Sequence, residues 1–237
     1  MPLTIILLLP VLNELEGLKA TLPYIDRSLF TDVVVVDGGS TDGTIEYAWQ
    51  EELTIVSQLR KGLQFAVYDM VMAHDVDYIV EFSPDGNCQP EYLKPLVDVL
   101  KQGVSLAVVS RYLRGARSYD DNFITAFGNW IFTKGFSLLG PAAVTDSLGI
   151  YRGFKRDIVK DPLFEKMLVG PVFEPLVTGI CQIRKYPLAE IAGDEPPRIG
   201  GETKRSIFVN GSCILYMLLR LYRRKLFGER VGLASRG

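Results

Sequence analysis

The chain has 237 residues, 48% hydrophobic and 23% charged, with a net charge of −2. This is a globular rather than a disordered composition, long enough for one α/β domain with a sizeable core or for a domain plus a small appendage. The charge leaves no electrostatic footprint for a nucleic-acid partner. The three cysteines (Cys88, Cys181 and Cys213) lack close metal-type spacing and read as reduced thiols of a cytosolic protein.

Leu3 to Leu9 reads as a buried strand. No basic segment precedes it, and Asn13-Glu14 follows where a signal-peptide cleavage site would have to lie. Glu14 to Arg27 follows as a helical segment. Val33 to Val36 is a second buried strand ending on Asp37, Thr44 to Glu52 a helix, and Leu53 to Val56 a short strand. Leu63 to Ala73 has helical periodicity. His74, the only histidine, sits at its end, where a surface residue near a helix C-terminus is the simplest reading. Tyr78 to Val80 is a strand running into the polar turn Ser83-Pro84-Asp85-Gly86-Asn87. Pro90 to Leu100 is a helix with Pro near its first turn, and Val104 to Val109 another strand. This alternation predicts a mostly parallel sheet covered by helices on both faces.

After Ser110 the pattern loosens. Arg111 to Asp121 is a polar loop, Phe123 to Leu139 is helical, and Ser147 to Phe154 has the makings of a short strand. Asp194 to Gly201 has loop composition. The segment Ser206 to Gly228 mixes apolar residues with Arg220, Arg223, Arg224 and Lys225, and Asn210 and Arg220 argue against a spanning helix. It suits either a helix on the membrane surface, with basic side chains towards anionic headgroups, or a helix packed on the domain. The chain therefore divides into an α/β domain over 1–205 and an amphipathic, basic helical tail over 206–237. No apolar stretch is long and clean enough to span a bilayer.

In open α/β sheets ligands sit at the carboxyl ends of the strands. Three polar clusters are expected there: Pro10 to Glu14, Asp37 to Thr44, and Ser83 to Asn87. In the second, Asp37-Gly38-Gly39-Ser40-Thr41-Asp42-Gly43-Thr44, a strand-end carboxylate can accept hydrogen bonds from a ribose or a base. Glycines let the backbone approach a ligand, and Thr41 or Asp42 can cap the next helix. The G-K-[ST] ending of a P-loop is absent. Alone, this segment is equally readable as a Gly-rich turn with a helix cap.

Pro10-Val11-Leu12-Asn13-Glu14 followed by Val35-Val36-Asp37-Gly38-Gly39-Ser40-Thr41-Asp42-Gly43-Thr44 resembles family 2 glycosyltransferases, and within them the dolichyl- and polyprenyl-phosphate sugar synthase branch. Similar to that branch, in the same order, are Arg60-Lys61-Gly62-Leu63-Gln64, Ser83 to Asn87, Ser110 to Gly115, Asp146 to Arg152 and Arg198 to Lys204. The resemblance implies a GT-A (Rossmann-like) fold with a nucleotide-sugar donor, a UDP- or GDP-sugar. Pro10, Asn13, Glu14, Asp37, Gly39, Lys61 and Gly62 would line the nucleotide pocket. Asp85 and Asn87 would hold Mg²⁺ or Mn²⁺, and Arg198 and Lys204 would close over the phosphates. A hard cation with oxygen ligands, helped by cationic side chains, suits the charge that builds on a departing diphosphate.

Two departures stand out. The family's Asp-x-Asp is here Ser83-Pro84-Asp85, one carboxylate short, and Asp85-Gly86-Asn87 also suits a plain turn. The family's acceptor-phosphate Arg is matched by Arg111, but the helix positions that would assist it are Asn122 and Ala126. Arg114 or Arg117 could substitute, or could be solvated loop charges. A phosphate acceptor attacks unaided, whereas a hydroxyl needs a base. Asp146 and Glu174 are the candidates, a turn cap and a surface helix residue being the ordinary alternatives. The expectation is an inverting glycosyltransferase acting on a polyprenyl phosphate, with catalytic residues among Asp85, Asp146 and Glu174 and with acceptor contacts at Arg111 and Arg114. It would be cytoplasmic and peripheral on the inner membrane face. A glycan hydroxyl acceptor, or a catalytically silent nucleotide-sugar binding module, is the alternative. A nucleotidyltransferase would need a Gly-rich basic loop that Pro10 to Gly17 lacks.

Overall fold

The computed structural model describes residues 3–60, 62–199 and 207–227. Seven strands form one sheet: β1 (Ile5–Val11), β2 (Asp32–Asp37), β3 (Thr54–Ser57), β4 (Tyr78–Glu81), β5 (Leu106–Ser110), β6 (Arg152–Lys155) and β7 (Leu188–Ala192), in the order β3-β2-β1-β4-β6-β5-β7. β1, β2, β3 and β4 pair in parallel, as do β5 and β7. β6 alone runs antiparallel, between β4 and β5.

The helices are α1 (Leu15–Thr21), α2 (Thr44–Gln50), α3 (Leu63–Ala73), α4 (Leu93–Lys101), α5 (Phe123–Ser137), α6 (Arg156–Val159), α7 (Pro162–Met167), α8 (Phe173–Arg184) and α9 (Ile207–Phe227). Every residue of β1 is buried, because alternate side chains feed two separate cores. Ile5, Leu7 and Leu9 pack with Leu18 of α1, Ala48 of α2 and Leu96 of α4. Ile6 and Leu8 face α3, α8 and α9 through Met70, Leu176 and Met217. Each such side chain contributes about 1.5–3 kcal/mol on burial.

The expected mostly parallel α/β sheet with helices on both faces is therefore present, with a C-terminal helix packed on it. Some local expectations change. The helix expected over Glu14 to Arg27 stops at Thr21. Pro23 has no N–H to donate back to Lys19 O, so the α-helical ladder ends there and a 3-10 turn over Leu22–Tyr24 takes its place. Of the strand expected over Ser147 to Phe154, only Arg152–Lys155 joins the sheet. α9 shares the main core through Ile214, Met217, Leu218 and Leu221, while Phe208, Tyr216 and Leu219 on its other side are exposed. No described helix is long and apolar enough to cross a membrane.

Candidate functional site

Since β1, β2 and β4 are parallel, their carboxyl ends and the loops that follow share one edge of the sheet. Strand order reverses direction at β1, between β2 and β4, which is where doubly wound sheets open a crevice. Backbone stitching joins the first two loops. Gly38 N donates to Val11 O at 2.9 Å, Asn13 N to Ser40 Oγ at 3.0 Å, and Thr41 N to Asn13 Oδ1 at 2.8 Å. Asn13 adopts φ 58°, a left-handed conformation that Asn tolerates better than most residues. Asp37 is buried at the end of β2, its Oδ1 accepting from Ser40 N at 2.9 Å.

A cavity of about 640 Å³ opens at this edge. It is lined by Pro10, Glu14, Val36, Gly38, Gln58 and Gly62, by Ser83, Asp85 and Asn87 of the acidic turn, and by Arg111, Glu174, Glu195 and Arg198. The acidic turn is held from two directions. A Cβ on Gly17 of α1 would lie 2.3 Å from Pro84 O, so α1 is pressed directly onto the turn. Ile199 N donates to Asp85 O at 2.9 Å, and a Cβ on Gly86 (φ 92°) would strike Ile199 Cγ1 at 2.6 Å. Asp85 is almost fully buried and accepts from Asn87 N at 3.1 Å. Arg198 Nη2 is 3.1 Å from its Oδ2.

Arg111 organises the far wall. Its Nε and Nη2 donate to Asp146 at 2.7 and 3.1 Å, and its Nη1 donates to both Glu195 oxygens at 3.1 and 3.2 Å. Asp146 is fully buried and also accepts from Gly149 N at 2.9 Å. Burial pushes its carboxyl up, but the Arg111 charge and hydrogen bonds, with the Gly149 amide and Arg152, outweigh that and hold it below the usual aspartate range. Glu195 goes the other way: burial raises it in spite of Arg111 and Ser118.

A second, smaller cavity of about 260 Å³ lies between α5, α8 and α9, lined by Ile124, Phe132, Pro175, Asn210 and Ile214 among others. It shares Arg111, Leu148 and Glu174 with the larger one. The same helices α5 and α9 present Phe123, Phe127, Trp130, Phe208 and Tyr216 to solvent, Phe123 at 84% and Phe208 at 89% of full exposure.

Of the residues singled out from sequence, Pro10, Glu14, Gly62, Asp85, Asn87, Arg111, Glu174 and Arg198 line the large cavity. Asp37, Asn13 and Gly39 lie in the loops beside it: Asp37 is turned into the Ser40 amide, Asn13 stitches two loops, and Gly39 supplies a turn at φ 99°. Asp146 sits behind Arg111 and lines neither cavity. Arg114 is exposed and also lines neither. Glu174, which could have been a surface helix residue, is buried in the first turn of α8. Lys61 and Lys204 lie outside the described residues. Sequence reasoning did not single out Gln58 or Glu195. Gln58 follows β3 directly and donates to Gly38 O at 2.8 Å, so the strand-end rule that flagged Asp37 reaches it too. Glu195 sat in a segment read only as loop.

This sheet and crevice define a GT-A glycosyltransferase. The chain belongs to the family described as Glycosyl transferase family 2, which it matches over residues 6–162. It is 28% identical over 224 residues to Glycosyltransferase AglJ of Haloferax volcanii, covering 94% of this chain and 72% of that protein. It is 26% identical over 233 residues to the dolichol-phosphate mannosyltransferase of Pyrococcus furiosus, covering 91% of this chain and 62% of that one. The same fold occurs in glucosyl-3-phosphoglycerate synthase from Mycobacterium tuberculosis, crystallised with Mn²⁺, uridine diphosphate and phosphoglyceric acid. Its TM-score is 0.65 at 19% identity, over 99% of this chain and 80% of that one.

Proposed function

We propose that the chain transfers a sugar, with inversion, from a nucleoside-diphosphate sugar to a polyprenyl phosphate at the cytoplasmic face of a membrane. The observation that carries this is the meeting of two cavities at Arg111, Leu148 and Glu174. One is polar and built on strand ends; the other is flanked by exposed aromatic side chains of α5 and α9. A nucleotide fits the first, and the phosphate end of a lipid fits the second, with its isoprenoid tail leaving past Ile124 and Phe132 towards the bilayer. The branch relative from Pyrococcus furiosus carries a dolichol-phosphate acceptor in its name, which agrees with this choice.

In this arrangement the nucleoside lies against Pro10, Val36 and Gly38, beside Asp37, and Gly62 borders the same pocket. Asp85 and Asn87 fit a divalent cation: Asp85 brings a buried carboxylate, and Asn87 Oδ1 is a buried acceptor without a hydrogen-bond partner among the described residues. Mg²⁺ or Mn²⁺ there would neutralise charge on the diphosphate. Arg198 adds a cationic side chain on the same side. The acceptor phosphate oxygen attacks the anomeric carbon as the carbon–oxygen bond to the diphosphate breaks, and the electron pair leaves with the nucleoside diphosphate. That nucleophile is already ionised and needs no base. Arg111 holds the acceptor phosphate. Asp146, saturated by Arg111 and the Gly149 amide, is a positioning residue for that guanidinium rather than a proton acceptor.

Glu174 supports a second possibility. As a buried carboxylate lining both cavities, it stands where a general base for a sugar hydroxyl would be needed, as in transfer to a glycan.

The test is incubation of the purified chain with labelled UDP- and GDP-sugars, Mn²⁺ and a polyprenyl phosphate in detergent. Label in the organic phase, with inverted configuration by NMR, is expected. Label on a glycan alone would move the assignment to the hydroxyl acceptor. Nucleotide binding without release of nucleoside diphosphate for any acceptor would leave only a binding module.

A further inference from the structure

The two cavities meet at Arg111, Leu148 and Glu174. Arg111 is held by Asp146 and Glu195. The other two junction residues are held by a side chain that itself lines neither cavity, Arg152 of β6.

Arg152 is fully buried, and so is Glu81, which stands opposite it in the β4–β6 register. Burial lowers the guanidinium from its ordinary value, against the pull of the Glu81, Glu174 and Asp146 charges. All three of its nitrogens donate. Nε donates to Gly149 O at 2.8 Å, and Nη2 donates to the same oxygen and to Ser147 O, the latter at 3.3 Å. Nη1 donates to Glu174 O at 2.6 Å and to Thr178 Oγ1 at 3.1 Å. Ser147 and Gly149 are the chain neighbours of Leu148. One planar fork therefore grips the backbone on both sides of Leu148 and the backbone of Glu174 itself. Thr178, one turn further along α8, completes the set: its hydroxyl lies 3.4 Å from both Ser147 O and Glu174 O.

A buried charge is a weak source of stability, since apolar groups of similar size often replace one without loss. The pattern of these bonds is specific instead. Loop 146–149 and the first turn of α8 come from separate parts of the chain, and the rigid guanidinium fixes the gap between them. Resting on the two-cavity reading above, we propose that Arg152, supported by Thr178, is a positioning residue that sets Leu148 and Glu174 in register, so that acceptor and anomeric carbon meet with water kept out. A misplacement of about 1 Å between reacting groups can cost on the order of 10²-fold in rate.

The test is a coupling ratio: nucleoside diphosphate released per sugar transferred, measured on the full chain with a nucleotide sugar, Mn²⁺ and polyprenyl phosphate. Only folded, active molecules contribute to both quantities, so a loss of stability alone does not move the ratio. In the parent each release is expected to match one transfer. Arg152→Lys is expected to raise the ratio roughly 10-fold, as water reacts in place of a misplaced acceptor. Because that variant can fail to fold, Thr178 supplies a second pair. Thr178→Val keeps the shape of the side chain but removes its hydroxyl, and is expected to raise the ratio about 3-fold. Thr178→Ser keeps the hydroxyl and loses a buried methyl; it should unfold at lower urea yet couple like the parent. A ratio equal to the parent's in folded Arg152→Lys or in Thr178→Val overturns the inference. So does a ratio that rises in Thr178→Ser as far as in Thr178→Val, because coupling would then follow packing. A parent that transfers no sugar to polyprenyl phosphate is a different failure: it removes the two-cavity reading, and this inference with it.

Discussion

The two sides of the crevice are built in different ways. The side proposed to take the donor is made from loops that leave neighbouring parallel strands, so its shape follows from strand order and a few backbone bonds such as Gly38 N to Val11 O. The side proposed to take the acceptor is assembled across long stretches of chain. Arg111 reaches Asp146 and Glu195, 35 and 84 residues away, and the smaller cavity needs α5, α8 and α9 together. The proposed donor chemistry therefore resides in short motifs, while the proposed acceptor chemistry resides in tertiary pairing. Substitutions on the first side should damage one ligand or one step. Substitutions on the second should couple activity to stability.

The largest effect is expected on the donor side. Asp85→Ala should lower kcat by on the order of 10²–10³-fold at fixed Mn²⁺, the loss that follows removal of a main electrostatic stabiliser of a leaving group. Initial rates of nucleoside diphosphate release check this, and a rate within a few-fold of the parent would put the cation elsewhere. Asp37→Ala should abolish nucleotide binding in calorimetry while leaving the fold intact, since Asp37 ends β2 rather than filling the core.

On the acceptor side, Arg111→Ala should do two things at once. It should raise KM for the lipid phosphate, and it should destabilise the fold by about 3–5 kcal/mol by stranding the fully buried Asp146 carboxylate. Urea unfolding separates the two effects. The pH dependence has a defined sign. The carboxyl of Asp146 is lowered in the folded chain, so its contribution to stability is present above the ordinary aspartate value of 3.8 and is lost as pH falls through its folded value. Glu195 is raised from 4.5, so it favours the fold at lower pH and loses that contribution as pH rises through its folded value. Asp146→Asn should therefore flatten the acid limb of the stability profile, and an unchanged limb would mean the Arg111 pair is not what holds that wall.

The same contrast explains what could be read from sequence. Val33 to Val36 ending on Asp37, and the turn Ser83 to Asn87, announce themselves through an apolar run broken by polar and glycine residues at a strand end. α8 does not, because Phe173 to Gln182 is buried along its length and carries Pro175 and Gly179, residues that locally read as helix breakers. β7 is half-buried from Leu188 to Ile191 and carries Glu190, which accepts from the Thr145 and Asp146 amides, so neither alternation nor a solid apolar run marks it. β6 is short, and its antiparallel direction is set by its neighbours β4 and β5. Asp146 was a fair candidate for a base because an isolated carboxylate has that chemistry. Its pairing with Arg111 is a contact that no local pattern encodes.

A smaller effect is expected at the exposed aromatic face. Phe127→Glu combined with Trp130→Glu should abolish or strongly reduce flotation of the chain with vesicles containing anionic lipid. Both side chains stand more than half exposed on α5 and stack on each other at 5.9 Å, so little core packing is lost. Nucleotide affinity should not change. Flotation equal to that of the parent would separate the lipid-phosphate acceptor from this face, and the smaller cavity would then need another entrance.

The smallest effect is the most discriminating, because it has opposite signs for two ligands at one site. Arg198 holds its charge against Asp85, so a cation arriving alone at that carboxylate must displace the guanidinium. A nucleoside diphosphate instead brings negative oxygens that the same guanidinium can meet. Arg198→Ala should therefore tighten Mn²⁺ binding a few-fold in the absence of nucleotide and weaken UDP or GDP binding by a similar factor. Asp85 is buried but Arg198 keeps about a third of its side chain in solvent, so screening limits the pair and neither change should be large. If both affinities fall together, the guanidinium supports the turn structurally, through the Ile199 amide and the packing on Gly86, rather than by competing for its charge.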